Sequence, residues 1–189
     1  KVNSIIKNIG KKSIHKLRIW DRLSAERVDK YIANSNVTKN RIKKYYGKNS
    51  EIIFPMINHS DYEVAKKRKG YFLAVGRLAP YKKFDLIVET FNQLGLPLKI
   101  VGTGVMANEL MSQAGDNIEF LGYVSDPELK TLYSECEALI FPQIEDFGIT
   151  PLEAMSSGRP VIAMKEGGAL DTIIDNKTGI FFKKQTVKE

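Results

Sequence analysis

From Tyr71 onward, short apolar runs alternate with longer amphipathic stretches. "YFLAVG", "LKIVG", "IEFLG", "ALIFP", "PVIAM" and "TGIFF" read as strands bounded by turn residues. Between them "YKKFDLIVETFNQLG" reads as a helix, with Phe84, Ile87, Val88 and Phe91 on one face. "MANELMSQAG", "DPELKTLYSECE", "PLEAMSSG" and "LDTIID" supply the other helices. The strands are apolar on both faces, which requires cover on both sides. The pattern therefore predicts an α/β fold, a doubly wound parallel sheet of Rossmann-like type, over residues 71–189. Ligands of such sheets bind beyond the carboxyl ends of the strands.

Ahead of this domain the pattern is less regular. Ser24 is expected to cap a short helix through Val28, and "YIANS" reads as a strand. Asn36 or Thr38 opens a basic amphipathic helix that Gly47 stops, and "EIIFP" is a second strand closed by Pro55. Residues 1–55 thus form one segment. "MINHSDYEVAKKRKG", residues 56–70, has little periodicity and reads as a linker.

Charge sharpens this division. The chain has 189 residues and a formal net charge of +7. Residues 1–48 hold 14 Lys and Arg against Asp21, Glu26 and Asp29, a net +11; the remainder holds 15 against 19, a net −4. A nucleic-acid partner is disfavoured, because no recognised binding module or aromatic stacking array accompanies the basic segment. It reads either as a solvated face or as a peripheral contact with an anionic membrane, with Ile14, Leu17, Ile19 and Trp20 as its apolar side. No apolar run approaches the ~18 residues of a membrane span. The single cysteine, Cys136, reads as a buried thiol and fits a reducing, cytoplasmic compartment. His15 and His59 lack metal-ligand spacing, so no metal site is expected. The first residue is Lys1, which suggests that the sequence begins inside a longer chain.

The candidate chemistry lies at strand ends. Asp146-Phe147-Gly148 spells a kinase magnesium triplet, but no catalytic loop precedes it, no A-P-E follows it, and the architecture is wrong. In "VGTGV", Gly102 and Gly104 can admit a phosphate to the backbone or simply make a turn. In "VGRLAPYKKFD", Arg77 follows a strand and Lys82 and Lys83 open a helix. Cations there oppose the helix dipole unless an anion lies between, so this loop predicts diphosphate binding. "TPLE", Thr150 to Glu153, has the form of a capping box, which would return Glu153 to the Thr150 backbone. Glu145 has no such structural reason. Gly148 turns the chain so that the following N–H groups face the ligand edge of the sheet. Gly167-Gly168 in "KEGGALD" is either a flexible loop or a backbone approach to a sugar or phosphate.

Together "GRLAPYKKFDLIVETF", "IVGTG", "IEFLGYVSDPELKTLYSECEALIFPQIEDFGITPLEAMSSGRPVIA" and "EGGALDTI" resemble the C-terminal, nucleotide-sugar-binding domain of retaining glycosyltransferase family 4, of GT-B fold. Upstream, "LRIWDRLSAERVDKYIANSNVTKNRIKKYYGKNSEIIFPMIN" resembles the tail of the N-terminal acceptor domain of mannosyltransferases of polysaccharide biosynthesis.

The resemblance implies transfer of a hexose, with GDP-mannose the donor expected, to a glycan or lipid-linked acceptor, without a metal or other cofactor. It implies that Arg77 and Lys82 bind the diphosphate and that Glu145 faces the sugar. Glu153 would hold the ribose, in competition with its capping role. Backbone groups of Phe147, Gly148, Ile149 and Thr150 would hold sugar and phosphate. Gly102, Gly104, Gly167 and Gly168 would admit the ligand, and Tyr123 would lie near the base. The family's glycine after the lysine is replaced by Lys83, which leaves open which lysine reaches the phosphate. Such a piece is expected to bind donor without turnover. An epimerase on the same fold and an inactive donor-binding subunit remain the alternatives.

Overall fold

The computed structural model describes the backbone of residues 4–189 and the side chains of residues 13–189. The start of the basic segment, residues 1–3 with the side chains of 4–12, therefore lies outside the described residues. The chain divides into two compact units, Lys1–Phe54 and Pro55–Glu189.

In the first unit, helix α1 (Ser4–Ala25) leads to strand β1 (Tyr31–Ala33), helix α2 (Asn36–Tyr46) and strand β2 (Ser50–Ile52), and the two strands pair in parallel. Helix α2 opens at Asn36, one of the two starts expected, and Ser35 caps it by accepting from the Thr38 N–H at 3.0 Å. Gly47 closes the helix with φ 71° and donates its N–H to the Lys43 carbonyl. The short helix expected from Ser24 to Val28 does not form. Ser24 lies in the last turn of α1, and its carbonyl accepts from the Arg27 N–H at 3.1 Å. That turn is held by tertiary contacts: Tyr31 donates to the Ala25 carbonyl at 2.6 Å, and Tyr46 donates to Asp21 at 3.0 Å.

The second unit is a six-stranded, wholly parallel sheet. In chain order it comprises β3 (Phe72–Val75), α3 (Phe84–Leu94), β4 (Leu98–Val101), α4 (Ala107–Gln113), β5 (Ile118–Gly122) and α5 (Asp126–Glu135). Then follow β6 (Leu139–Phe141), α6 (Ile149–Ser156), β7 (Val161–Met164), α7 (Ala169–Thr172) and β8 (Gly179–Phe182). The strand order is β5-β4-β3-β6-β7-β8. Successive residues of a strand face opposite sides. Leu73, Leu139 and Phe141 accordingly join one apolar cluster, while Ala74, Leu98 and Ile100 join a second with Phe84, Ile87 and Phe91 of α3. The expected doubly wound fold is present, and its strand order reverses between β3 and β6. That reversal opens the crevice in which doubly wound sheets bind ligands.

The stretch expected as a linker, residues 56–70, is fastened along the second unit. The Lys69 N–H donates to the Glu135 carbonyl at 2.9 Å, and buried Arg159 donates to the Ala65 carbonyl at 2.9 Å. Arg68 pairs with Glu137 at 2.8 Å. These contacts are made by backbone groups and long side chains spread along the stretch, which leave no apolar periodicity.

Candidate functional site at the strand-order reversal

The loops after β3 and β6 flank the reversal, and a charge pair joins them. Lys82 Nζ donates to Glu145 Oε1 across 63 residues of sequence. Their side chains are only 16% and 21% exposed, so the pair is poorly screened. Burial pushes the Lys82 ammonium below the ordinary lysine value.

Local backbone geometry places Lys82. Pro80–Lys82 is a single 3-10 turn, and Lys83 adopts a left-handed conformation with φ 59° and ψ 36° before α3 begins at Phe84. The two lysines therefore do not open the α-helix; they precede it. The left-handed residue costs a non-glycine side chain energy. It also separates the lysines: Lys82 turns to Glu145, while Lys83 makes no ion pair among the described residues. Arg77, just after β3, is exposed.

On the β6 side, Gly148 (φ 87°) is the N-cap of α6, and no side chain caps this helix. A Cβ at Gly148 would come within 2.9 Å of the Phe141 ring. Phe147 is buried, Ile149 is exposed, and Thr150 is half-buried. The capping box is overturned. A left-handed Gly148 starts the helix at Ile149, so Thr150 and Pro151 already lie within it. Thr150 is thus not the N-cap, and Glu153 does not return to its backbone. Instead Glu153 Oε2 accepts from Tyr133 at 2.8 Å and Oε1 from Tyr62 at 3.1 Å.

The glycines act first on neighbouring loops. A Cβ on Gly102 would lie 1.9 Å from the Gly76 carbonyl oxygen, and one on Gly104 would lie 2.2 Å from that of Leu78. The Leu78 N–H donates to Thr103 and the Met106 N–H to Leu78, locking the β4 loop against the β3 loop. Gly167 and Gly168 do the same for the β6 loop. Their Cβ atoms would lie 2.6 Å from the Glu145 carbonyl oxygen and 2.3 Å from Phe147 Cα. The Gly168 N–H donates to the Glu145 carbonyl at 2.8 Å, fixing the backbone that carries the acid.

Tyr123 stands at the carboxyl end of β5, two strands from β3, and is 83% exposed. Sequence reasoning missed Tyr62 and Tyr133. They carry no spacing signal, and they reach Glu153 from 91 and 20 residues away. Cys136 is buried, and burial pushes its thiol up to about 12, which suits a structural group.

Comparison with known proteins gives the family and the fold. The profile of the family described as "Glycosyl transferases group 1" matches residues 57–189. An O-antigen chain mannosyltransferase of Salmonella typhimurium is 33% identical over 153 residues, covering 75% of this chain and 43% of that protein. An alpha-1,3/1,6-mannosyltransferase of Dictyostelium discoideum is 26% identical over 194 residues, covering 77% and 46%. The chain thus spans less than half the length of these relatives. In fold it is similar to an Anabaena protein crystallised with UDP and glucose. The TM-score is 0.81 at 21% identity, over 92% of this chain and 54% of the other.

Proposed function

Since the chain belongs to the group 1 glycosyl transferases, we propose that its second unit binds a nucleoside-diphosphate sugar and serves retaining transfer of a hexose. The observation that carries this reading is the Lys82–Glu145 pair at the strand-order reversal. A cation and an acid held side by side there suit a ligand that is a diphosphate at one end and a polyol at the other. Mannose is the sugar favoured by the names of the two relatives described above, both mannosyltransferases. GDP-mannose is the corresponding donor, and a glycan or lipid-linked hydroxyl the acceptor.

In the reaction the anomeric carbon loses its bond to the diphosphate oxygen. The acceptor oxygen forms its bond on the same face, and its hydroxyl proton passes to the departing diphosphate oxygen. Negative charge grows on the departing diphosphate, and Arg77, Lys82 and the α6 N-terminus are the groups available to offset it. Glu145 orients sugar hydroxyls and stabilises positive charge at the anomeric carbon. The 189-residue chain is expected to bind donor without turning it over. A thermal-shift panel of GDP, UDP and ADP sugars tests the reading, because bound ligand raises stability as RT ln(1 + [L]/Kd). One base should stand out; no shift with any of the three would remove the donor-site reading.

The first unit supports a peripheral contact with an anionic membrane on the cytoplasmic side. Exposed Ile14, Leu17, Trp20 and Leu23 share α1 with exposed Lys16, Arg18 and Arg22. Each basic residue near such a surface contributes about 1 kcal/mol. No described helix is long and apolar enough to cross a membrane. Co-sedimentation with phosphatidylserine vesicles should weaken with salt, and binding that ignores both salt and lipid charge would end this idea.

A further inference from the structure

Glu153 is held neither as a helix cap nor in an ion pair among the described residues. Each of its carboxylate oxygens accepts from a different phenol. Tyr133 comes from α5 and is fully buried; Tyr62 comes from the stretch ahead of β3 and is half-buried. Tyr62 is itself held: Lys130 Nζ lies 5.3 Å over its ring and pairs with Asp61 at 3.7 Å. Burial and the neighbouring carboxylate push the Tyr62 phenol up to about 12 and the Tyr133 phenol well above its ordinary value. Both therefore keep their protons and act as donors. A carboxylate served by one neutral donor per oxygen retains its negative charge and one further acceptor direction on each oxygen. A glutamate side chain otherwise turns about three torsions, and two phenols approaching from separate elements fix its plane.

We propose that Tyr133 and Tyr62 are positioning residues that hold the Glu153 carboxylate in register for a vicinal diol, the 2′,3′-hydroxyls of the donor's ribose. The proposal rests on reading the second unit as a nucleoside-diphosphate site. A cis-diol presents two O–H donors that match the two remaining acceptor directions. The phenols touch no substrate and act only through Glu153. Their removal therefore lowers affinity for a ribonucleotide while leaving affinity for a nucleotide without the diol unchanged.

The test titrates the 189-residue chain calorimetrically with GDP and 2′,3′-dideoxy-GDP, and with the matching uridine pair. The same is done for the Tyr133→Phe, Tyr62→Phe and Glu153→Gln variants. The unsubstituted chain should prefer the ribonucleotide by about tenfold, and Glu153→Gln should abolish most of that preference. Tyr133→Phe should shrink it roughly three- to tenfold, and Tyr62→Phe by less, with dideoxy binding unchanged in both. Tyr62→Phe carries the test if Tyr133→Phe does not fold. Tyrosine variants that keep the full preference, or weaken both nucleotides equally, overturn the positioning role and leave the donor site standing. An unsubstituted chain that binds ribo- and dideoxynucleotides equally overturns Glu153 as a ribose contact, and the positioning role with it.

Discussion

Two glutamates with seven residues between them meet opposite partners. Glu145 lies in a loop and faces a cation, Lys82. Glu153 lies in a helix and faces two neutral phenols. The first arrangement cancels charge, so a diphosphate entering there exchanges one ionic contact of Lys82 for another. The second retains charge and fixes direction, which suits hydroxyl recognition. The loop acid depends on glycine-permitted packing of its backbone, and the helix acid on side-chain hydrogen bonds. Substitutions should therefore separate the two.

The largest effect should come from Gly168→Ala. The added Cβ would lie 2.3 Å from Phe147 Cα, and backbone cannot yield as a flexible side chain can. We expect a loss of about 2–4 kcal/mol in a denaturant melt, with the Glu145 loop displaced. An unchanged midpoint would mean that this loop is not locked. Next, Tyr133→Phe should cost about 1–3 kcal/mol, because a buried hydrogen bond to a charged group is lost, with Tyr62→Phe costing less. Equal costs at the two positions would contradict the difference in burial.

Alkali should act on the helix acid's partners. The folded Tyr62 value of about 12 lies above the ordinary 10, so its contribution to stability is complete below pH 10. It is lost as pH rises through about 12, because the unfolded chain releases the proton more readily. Melting curves should fall between pH 10 and 12, and Tyr62→Phe should flatten part of that fall. The smallest effect belongs to Lys83→Gly. Relief of the left-handed strain should raise stability by up to about 1 kcal/mol while sparing the Lys82–Glu145 pair. A measurable loss would show that the Lys83 side chain holds the loop.

The doubly wound sheet was legible because its strands are buried on both faces, and uninterrupted runs such as "YFLAV" and "PVIAM" leave little other reading. Lys82 and Glu145 were each legible as candidates, but their meeting was not, since it depends on β3 and β6 being neighbours. The "TPLE" pattern misled because a capping box assumes an extended cap residue. Here a left-handed Gly148 starts the helix two residues before Pro151. Tyr62 and Tyr133 were illegible because tyrosines buried against helices look like ordinary core until the carboxylate they serve is located. Ser24 misled in the same local way: its cap-like neighbourhood gave no sign of the contacts that extend α1 past it.

In the proposed function Lys82, paired with Glu145 in the free chain, is the group that grips the donor diphosphate. Titrating the 189-residue chain and its Lys82→Met variant with the diphosphate and monophosphate of the preferred nucleoside tests it most directly. The chain should bind the diphosphate at least about tenfold more tightly than the monophosphate, and Lys82→Met should remove most of that margin. A margin that survives the substitution intact, or that is absent from the unsubstituted chain, would contradict the account.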